Sequence, residues 1–91
     1  MNKSELVAAV AEATAQSKTV TNEFVDAFLS TVSASIADGE DVVLVGFGTF
    51  YRASRKATTG RNPQTGEPLQ IPAAKLPKFR AGKKFKEEVN N

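Results

Sequence analysis

The sequence contains no cysteine and no histidine. It therefore lacks a thiol nucleophile, a disulfide, the ligand set of a zinc finger and an imidazole for acid–base chemistry near neutral pH. We expect no enzyme activity, no metal or other cofactor and no small-molecule substrate. No apolar run approaches the roughly 18 residues of a membrane span, and the N-terminus lacks the apolar core of a signal peptide. These absences predict a cytoplasmic protein without a membrane partner.

The length of 91 residues allows one small domain, near the lower limit for a self-sufficient core. Its charge is unevenly distributed. Residues 1–51 contain two basic and seven acidic side chains, a net charge of −5, whereas residues 52–86 contain ten basic side chains and only Glu67 as an acid, a net charge of +9. This asymmetry indicates an acidic body that carries a polyanion-binding part.

Two helices are predicted in the first forty residues. Asn2 and Glu5 have the spacing of a capping box, followed by helical periodicity up to about residue 14. Ser17 or Thr19 can cap a second, longer helix, which Gly39 would end in a left-handed conformation. Because the linker is short, the two form a helical hairpin. Apolar residues recur every four positions in the second helix, at Val20, Phe24, Phe28, Val32 and Ile36.

Strands follow the helical hairpin. The β-branched run over residues 42–45 is too short for a buried helix and predicts a first strand. Gly46, Phe47 and Gly48 predict a hairpin turn into a second strand over residues 49–55. A third strand is predicted over residues 69–80, and a short basic helix after Gly82.

The segment of residues 52–75 cannot build a core. The chain has 22 Leu, Ile, Val and Phe residues, of which 16 precede Arg52, and this segment holds only Leu69 and Ile71. Its glycines and prolines cluster at the centre, which predicts a two-stranded ribbon that turns around residues 61–66. At about 3.3 Å per residue each limb would reach on the order of 30 Å from the body. We call this segment the arm.

Outside the arm, 67 residues must enclose six phenylalanines. Two helices over a short sheet leave one apolar face uncovered, and a twofold-symmetric dimer would cover it. The sequence therefore predicts a dimer whose core includes Phe47, Phe50 and Phe79.

Several features have two interpretations. The basic arm is either a solvated loop or a surface that binds the phosphates of a nucleic acid. Its positive charge, its lack of apolar core residues and the turn-forming residues at its tip occur together, which favours the second interpretation. Gly46 and Gly48 are a turn and not a phosphate loop, since no third glycine or lysine follows. Pro63 at the arm tip is either a turn former or a rigid apolar wedge between base pairs, and composition leaves both open.

The sequence contains the spaced motifs Gly46-Phe47-Gly48-Thr49-Phe50, Arg55, Gly60-Arg61-Asn62-Pro63-Gln64-Thr65-Gly66 and Phe79-Arg80-Ala81-Gly82-Lys83. In these motifs it resembles the bacterial histone-like HU/IHF proteins, and the resemblance covers essentially the whole chain. Within that family, a valine such as Val45 before Gly46 resembles the HU branch.

The resemblance implies an α+β fold in an intertwined dimer, formed by two copies or with a paralogue. Each chain would contribute an N-terminal helical hairpin, a three-stranded antiparallel sheet that forms a saddle, a protruding β-ribbon arm and a short C-terminal helix. The whole chain, 1–91, would be one DNA-binding domain, with a body over 1–51, the arm over 52–75 and the sheet end and last helix over 76–91.

The resemblance also implies roles for single residues. Pro63 would intercalate, with Arg61 and Asn62 beside it in the minor groove, and Lys3 and Lys18 would touch flanking DNA. The backbone would be met by Arg55, Lys75, Arg80, Lys83 and Lys86. Arg52, Lys56, Gln64 and Thr65 complete the predicted DNA-binding set.

The function implied is that of a nucleoid-associated architectural protein, which binds, bends and compacts double-stranded DNA with little sequence preference. The alternative is a sequence-specific bending subunit like IHF. A more distant one is an RNA-binding or ribosome-associated protein with a basic extension.

Overall fold

The structure, a computed structural model, describes all residues from 1 to 91. The chain is α+β, with three helices and five strands that pair antiparallel. None of the helices combines the length and apolar content that a bilayer-spanning segment requires. The elements in chain order are α1 (Lys3–Thr14), α2 (Lys18–Ala37), β1 (Val42–Leu44), β2 (Gly48–Arg55), β3 (Thr58–Arg61), β4 (Pro68–Ile71), β5 (Ala74–Ala81) and α3 (Lys83–Val89).

The contacts divide the chain into two compact units, Met1–Ala34 and Ser35–Asn91. In the first, both helices begin at side-chain caps. The Asn2 Oδ1 accepts the backbone N–H of Glu5 at 2.9 Å, and the Ser17 Oγ accepts the backbone N–H of Val20 at 3.1 Å. Each cap satisfies an N–H group that has no partner within its helix. Of the two caps predicted for α2, Ser17 is the one used.

The end of α1 uses a residue that the sequence pattern did not reveal. Ala15 is left-handed, with φ of 54°. Its N–H donates to the carbonyl oxygen of Glu12 at 3.3 Å, and the N–H of Gln16 donates to that of Ala11 at 3.0 Å. These two bonds form a Schellman motif, which normally has glycine at this position.

The end of α2, which lies in the second unit, confirms the prediction for Gly39. Gly39 has φ of 87°. Its N–H donates to the carbonyl oxygen of Ile36 at 3.1 Å, and the N–H of Glu40 donates to that of Ser35 at 2.9 Å. Glycine meets this left-handed requirement without a clash at Cβ.

The first unit buries few side chains. Val7, Ala11 and Thr21 are its only buried residues, while Phe24 is 69% exposed and Phe28 is 47% exposed. Large apolar groups are normally the most deeply buried groups of a domain. The helical hairpin of one chain thus leaves most of its apolar surface uncovered.

In the second unit, β1, β2 and β5 form the predicted three-stranded antiparallel sheet, and the structure gives the strand order β1-β2-β5. β1 and β2 are joined by a tight turn, in which the N–H of Phe47 donates to the carbonyl oxygen of Leu44 at 2.9 Å and Gly46 has φ of 84°. β1 is one residue shorter than predicted, because Val45 belongs to this turn and is 98% exposed.

Four phenylalanines pack together at the end of this sheet and beside α3. We call Phe47, Phe50, Phe79 and Phe85 the phenylalanine cluster. Phe50 lies opposite Phe79 in the β2–β5 register, with ring centroids 4.8 Å apart. Phe47 stacks on Phe85 at 4.7 Å. Even so, Phe47 stays 42% exposed and Phe79 40% exposed.

Gly48 makes the cluster sterically feasible. A Cβ atom at this buried position would lie 2.5 Å from Cζ of Phe79 and 2.6 Å from the carbonyl oxygen of Arg80. Both distances are far below carbon contact distances, so only glycine fits between the sheet and the Phe79 ring.

The predicted third strand over residues 69–80 is wrong in one respect, because it is interrupted. β5 pairs with β2 up to Arg55 opposite Ala74, so both ends of the arm lie in the three-stranded sheet. The outer part of the arm is a separate two-stranded sheet that begins with Thr58 opposite Ile71. The register is the same on both sides, so two rungs of one hairpin are missing and no residue is inserted. Pro72 has no N–H to donate there. We call residues 56, 57, 72 and 73 the ladder break.

Candidate nucleic-acid interface

The predicted DNA-binding residues are spread over both units. Lys3 and Lys18 are the first residues of α1 and α2 in the first unit. In the second unit, the predicted residues lie on β2 (Arg52, Arg55), in the ladder break (Lys56), at the end of β3 and in the arm tip (Arg61, Asn62, Pro63, Gln64, Thr65), on β5 (Lys75, Arg80) and on α3 (Lys83, Lys86).

One face of the three-stranded sheet collects positive charge. Because side chains alternate between the faces of a strand, the β2–β5 register places Arg55, Lys78 and Arg80 on the same face. The Arg80 guanidinium carbon lies 5.3 Å from the centroid of the Tyr51 ring, which belongs to this face. Such a cation–π contact orients the guanidinium while leaving its donors available. We call this surface the cationic face.

The opposite face of the same strands has another composition. It carries Phe50 and Phe79 of the phenylalanine cluster, followed by Arg52 and Lys75 towards the arm. Lys75 is exposed. Arg52 is half-buried and donates from Nη1 to the carbonyl oxygen of Ala37 at 3.0 Å, so its guanidinium has a partner within the chain. Contact of Arg52 with DNA stays a prediction.

Two further lysines of the second unit, Lys78 and Lys84, lie outside the predicted DNA-binding set. Lys78 lies two residues before Arg80 on β5 and therefore on the same face, opposite Tyr51. The alternation of a strand would have found it once Arg80 was assigned. Lys84 on α3 is exposed, and its side chain lies beside the β1–β2 turn. A Cβ atom at Gly46 would be 3.7 Å from the Cδ of Lys84. No local pattern connects α3 with that turn.

Arg55 joins the cationic face to the outer part of the arm. It is the last residue of β2, and its Nη2 donates to the carbonyl oxygen of Pro72 at 3.2 Å. This is the only side-chain hydrogen bond that reaches into the ladder break. A planar guanidinium with five donors can make this bond and still offer donors to a phosphate.

The arm ends in an ordered turn over residues 62–67. Arg61, the last residue of β3, donates from Nη1 to the carbonyl oxygen of Gly66 at 3.3 Å. Pro63, Gln64 and Thr65 are exposed at the outer end of this turn. The structure thus places an apolar ring at the tip of a ribbon whose base is basic.

The two lysines of the first unit differ in their surroundings. The Lys3 ammonium forms an ion pair with Asp26, whose other carboxylate oxygen accepts the Asn22 side-chain N–H at 3.2 Å. Lys18 is exposed and forms no ion pair. Surface pairs of this kind contribute about 0–1 kcal/mol, so a competing phosphate can replace the Lys3 partner.

Comparison with known proteins gives consistent results along the whole chain. A family model described as bacterial DNA-binding protein matches residues 1–90. The DNA-binding protein HU-beta 2 of Neisseria meningitidis is 56% identical over 90 residues, covering 99% of each chain. The DNA-binding protein HU-beta of Pseudomonas aeruginosa is 51% identical over 90 residues, covering 99% of this chain and 100% of that relative.

A solved structure gives the same result for the fold. The Anabaena HU–DNA cocrystal structure is similar with a TM-score of 0.92 and 47% sequence identity, covering 98% of this chain and 97% of that chain. Because the family model and these relatives extend over nearly every residue, the chain belongs to the bacterial DNA-binding protein family of HU and IHF.

Proposed function

We propose that this protein is a histone-like architectural protein that binds and bends double-stranded DNA with low sequence specificity. The observation that carries the proposal is the continuity of the cationic face with the basic arm. Both are formed by one hairpin with one register, so cations on the sheet lead directly to the arm at Arg55. A relative with the same fold was crystallised with DNA.

Phosphate contacts would supply most of the affinity. Residues 52–86 carry a net charge of +9, and most of their lysines and arginines are exposed. Each neutralised phosphate releases condensed counterions, which favours binding irrespective of sequence. The relatives named above are HU proteins, so the alternative of an IHF-like sequence-specific subunit is not favoured. As a binding protein of this type, it would act in the cytoplasm on the nucleoid and not as an enzyme.

The working form would be a dimer, of two copies or with a paralogue. Within one chain the buried apolar side chains are Val7, Ala11 and Ile36 alone. The exposed phenylalanines of the helical hairpin and of the phenylalanine cluster would be covered by the second chain. Covering an apolar surface of this kind contributes about 25 cal/mol per Å², which a small domain needs. All 91 residues would then act as one DNA-binding domain, with two arms per dimer.

Bending would arise from Pro63. Its ring is apolar, rigid and without an N–H, and it is exposed at the arm tip. Inserted into a base step from the minor groove, it would unstack the step and kink the duplex. Unstacking costs a few kcal/mol, and the cost is least at a nick or a flexible step. The wedge would therefore favour binding at nicked or easily deformed DNA.

The experiment compares Pro63→Ala with the natural protein. We expect the fold and the salt dependence of binding to be retained, while the bend angle, measured by energy transfer between duplex ends, decreases. The ratio of affinities for nicked and intact duplex should fall towards one. Pro68→Ala, which removes a proline from the same arm but not from its tip, is the matched control and should change neither. An unchanged bend angle and ratio in Pro63→Ala would contradict the wedge.

A further inference from the structure

The arm tip is closed by hydrogen bonds that converge on one residue, Asn62. Its backbone N–H donates to the carbonyl oxygen of Glu67 at 2.8 Å, which extends the β3–β4 ladder by one rung. Its carbonyl oxygen accepts the N–H of Gly66 at 2.7 Å. Gly66 has φ of 73°, with no atom within 4 Å of where its Cβ would lie. The two ends of the turn are thus held together at Asn62.

The Asn62 side chain makes a third bond inside the same turn. Its Oδ1 accepts the backbone N–H of Gln64 at 2.9 Å. This is an Asx turn, in which the side chain replaces a backbone group and encloses the residue between, here Pro63. Asn62 is also the only residue of the turn that is half-buried, whereas the others are exposed.

These bonds set the direction of the Pro63 ring. The ring itself holds φ of Pro63 near −65°, and a following proline restricts Asn62 to extended backbone. The remaining freedom is the ψ angle of Pro63, which decides where the N–H of Gln64 points. Because that N–H is bound to Oδ1 of Asn62, the ring is held in one orientation before any DNA is present. An orientation set in advance removes an entropy cost from binding.

We propose that Asn62 is the positioning residue of the Pro63 wedge, and that its carboxamide oxygen holds the turn and does not read a base. This inference rests on the proposed bending function. It differs from the role that the family resemblance implies for Asn62, which is contact within the groove. Its distinguishing consequence is that an acceptor at this position is sufficient, and that the Nδ2 donor of Asn62 is not required.

Two variants separate these roles. Asn62→Asp keeps a side-chain oxygen acceptor at the same distance from the backbone but removes the amide donor. Asn62→Ala removes both. The added negative charge of aspartate weakens binding to nicked and intact duplex alike, so the ratio of the two affinities is the informative quantity.

The experiment has two readouts on the full-length protein. In the free protein, amide hydrogen exchange of Gln64 should accelerate about tenfold in Asn62→Ala, which corresponds to the loss of one hydrogen bond. In Asn62→Asp the exchange rate of Gln64 should stay close to that of the natural protein. With DNA, Asn62→Ala should lower the bend angle and the nicked-to-intact ratio towards the values of Pro63→Ala. Asn62→Asp should retain both.

Each contrary result has its own meaning. If Asn62→Ala leaves the Gln64 exchange rate or the bend angle unchanged, the positioning role is wrong. If Asn62→Asp protects Gln64 but loses the ratio as Asn62→Ala does, the amide donor contacts a base and the inference is overturned. If Pro63→Ala itself leaves the bend unchanged while Gln64 protection depends on Asn62, the turn is correctly described and the wedge of the proposed function is what fails.

Discussion

The Arg52 guanidinium caps the C-terminal end of α2, because its Nη1 donates to the carbonyl oxygen of Ala37 at 3.0 Å. The same guanidinium lies over the glycine that ends the helix, with Nη2 at 3.0 Å from where a Cβ of Gly39 would be. Carbonyl groups at a helix end have no partner within the helix and carry partial negative charge, so a cation stabilises them. A residue of the basic segment therefore has a role within the body.

For Arg52→Ala, we expect the free energy of unfolding to fall by about 1 kcal/mol, from the lost hydrogen bond and the lost interaction with the helix end. The salt dependence of DNA binding should change less than in Lys56→Ala, because the Arg52 guanidinium is half-buried and already donates to Ala37. Urea unfolding at fixed protein concentration and a salt titration of binding measure the two effects. The control is Lys56→Ala, an exposed cation without an intramolecular partner. Unchanged stability in Arg52→Ala would contradict the capping role.

DNA binding should weaken steeply with salt. If about six phosphates are contacted, a plot of log K against log salt concentration should have a slope near −5. Lys83→Ala should make the slope about one unit shallower and weaken all sequences alike, as expected for loss of one phosphate contact. Lys83 is available, because its only ion pair, with Glu87, is at 4.0 Å and exposed. If the slope measured for the natural protein is shallower than about −2, the basic segment is not the surface that binds DNA.

Phe47→Ala should lower the free energy of unfolding by about 3–5 kcal/mol, enough to unfold a marginal domain. This magnitude applies to a dimer in which the second chain covers Phe47. In one chain Phe47 is 42% exposed, and removing a side chain that stays exposed would lower the free energy of unfolding by less. Sedimentation of the natural protein should show a dimer at micromolar concentration. A folded, stable monomer at that concentration would rule out the dimeric core.

Ala15→Gly should raise the free energy of unfolding by about 0.5–1 kcal/mol, because glycine adopts the left-handed conformation without the steric cost that alanine has there. The matched control is Ala13→Gly, at an exposed position within α1, which should lower the same quantity by about 1 kcal/mol. Thermal or urea unfolding of both variants measures the difference. A loss of stability in Ala15→Gly would contradict the Schellman end of α1.

The helices and the arm were predictable because their signals are local. Asn2 and Ser17 cap helices through N–H groups three residues away, and Gly39 supplies a conformation that few other residues adopt. The arm is evident from a lack of apolar residues, which no tertiary contact can replace. The spaced glycine, arginine and proline motifs carried the family resemblance, and the family model matches residues 1–90.

The candidate site was less predictable from the sequence, because its geometry depends on which residues distant in sequence become neighbours in space. Lys78 joins Arg55 on one face only through a register that pairs Tyr51 with Lys78 and Arg55 with Ala74, residues far apart in sequence. Arg52 is indistinguishable in sequence from the arginines around it, and its assignment to Ala37 follows from β2 lying near the end of α2. A break of two rungs without a change of register is likewise a property of two strands together. Short-range rules describe a residue and its neighbours in sequence, whereas strand pairing and packing decide which side chains share a surface.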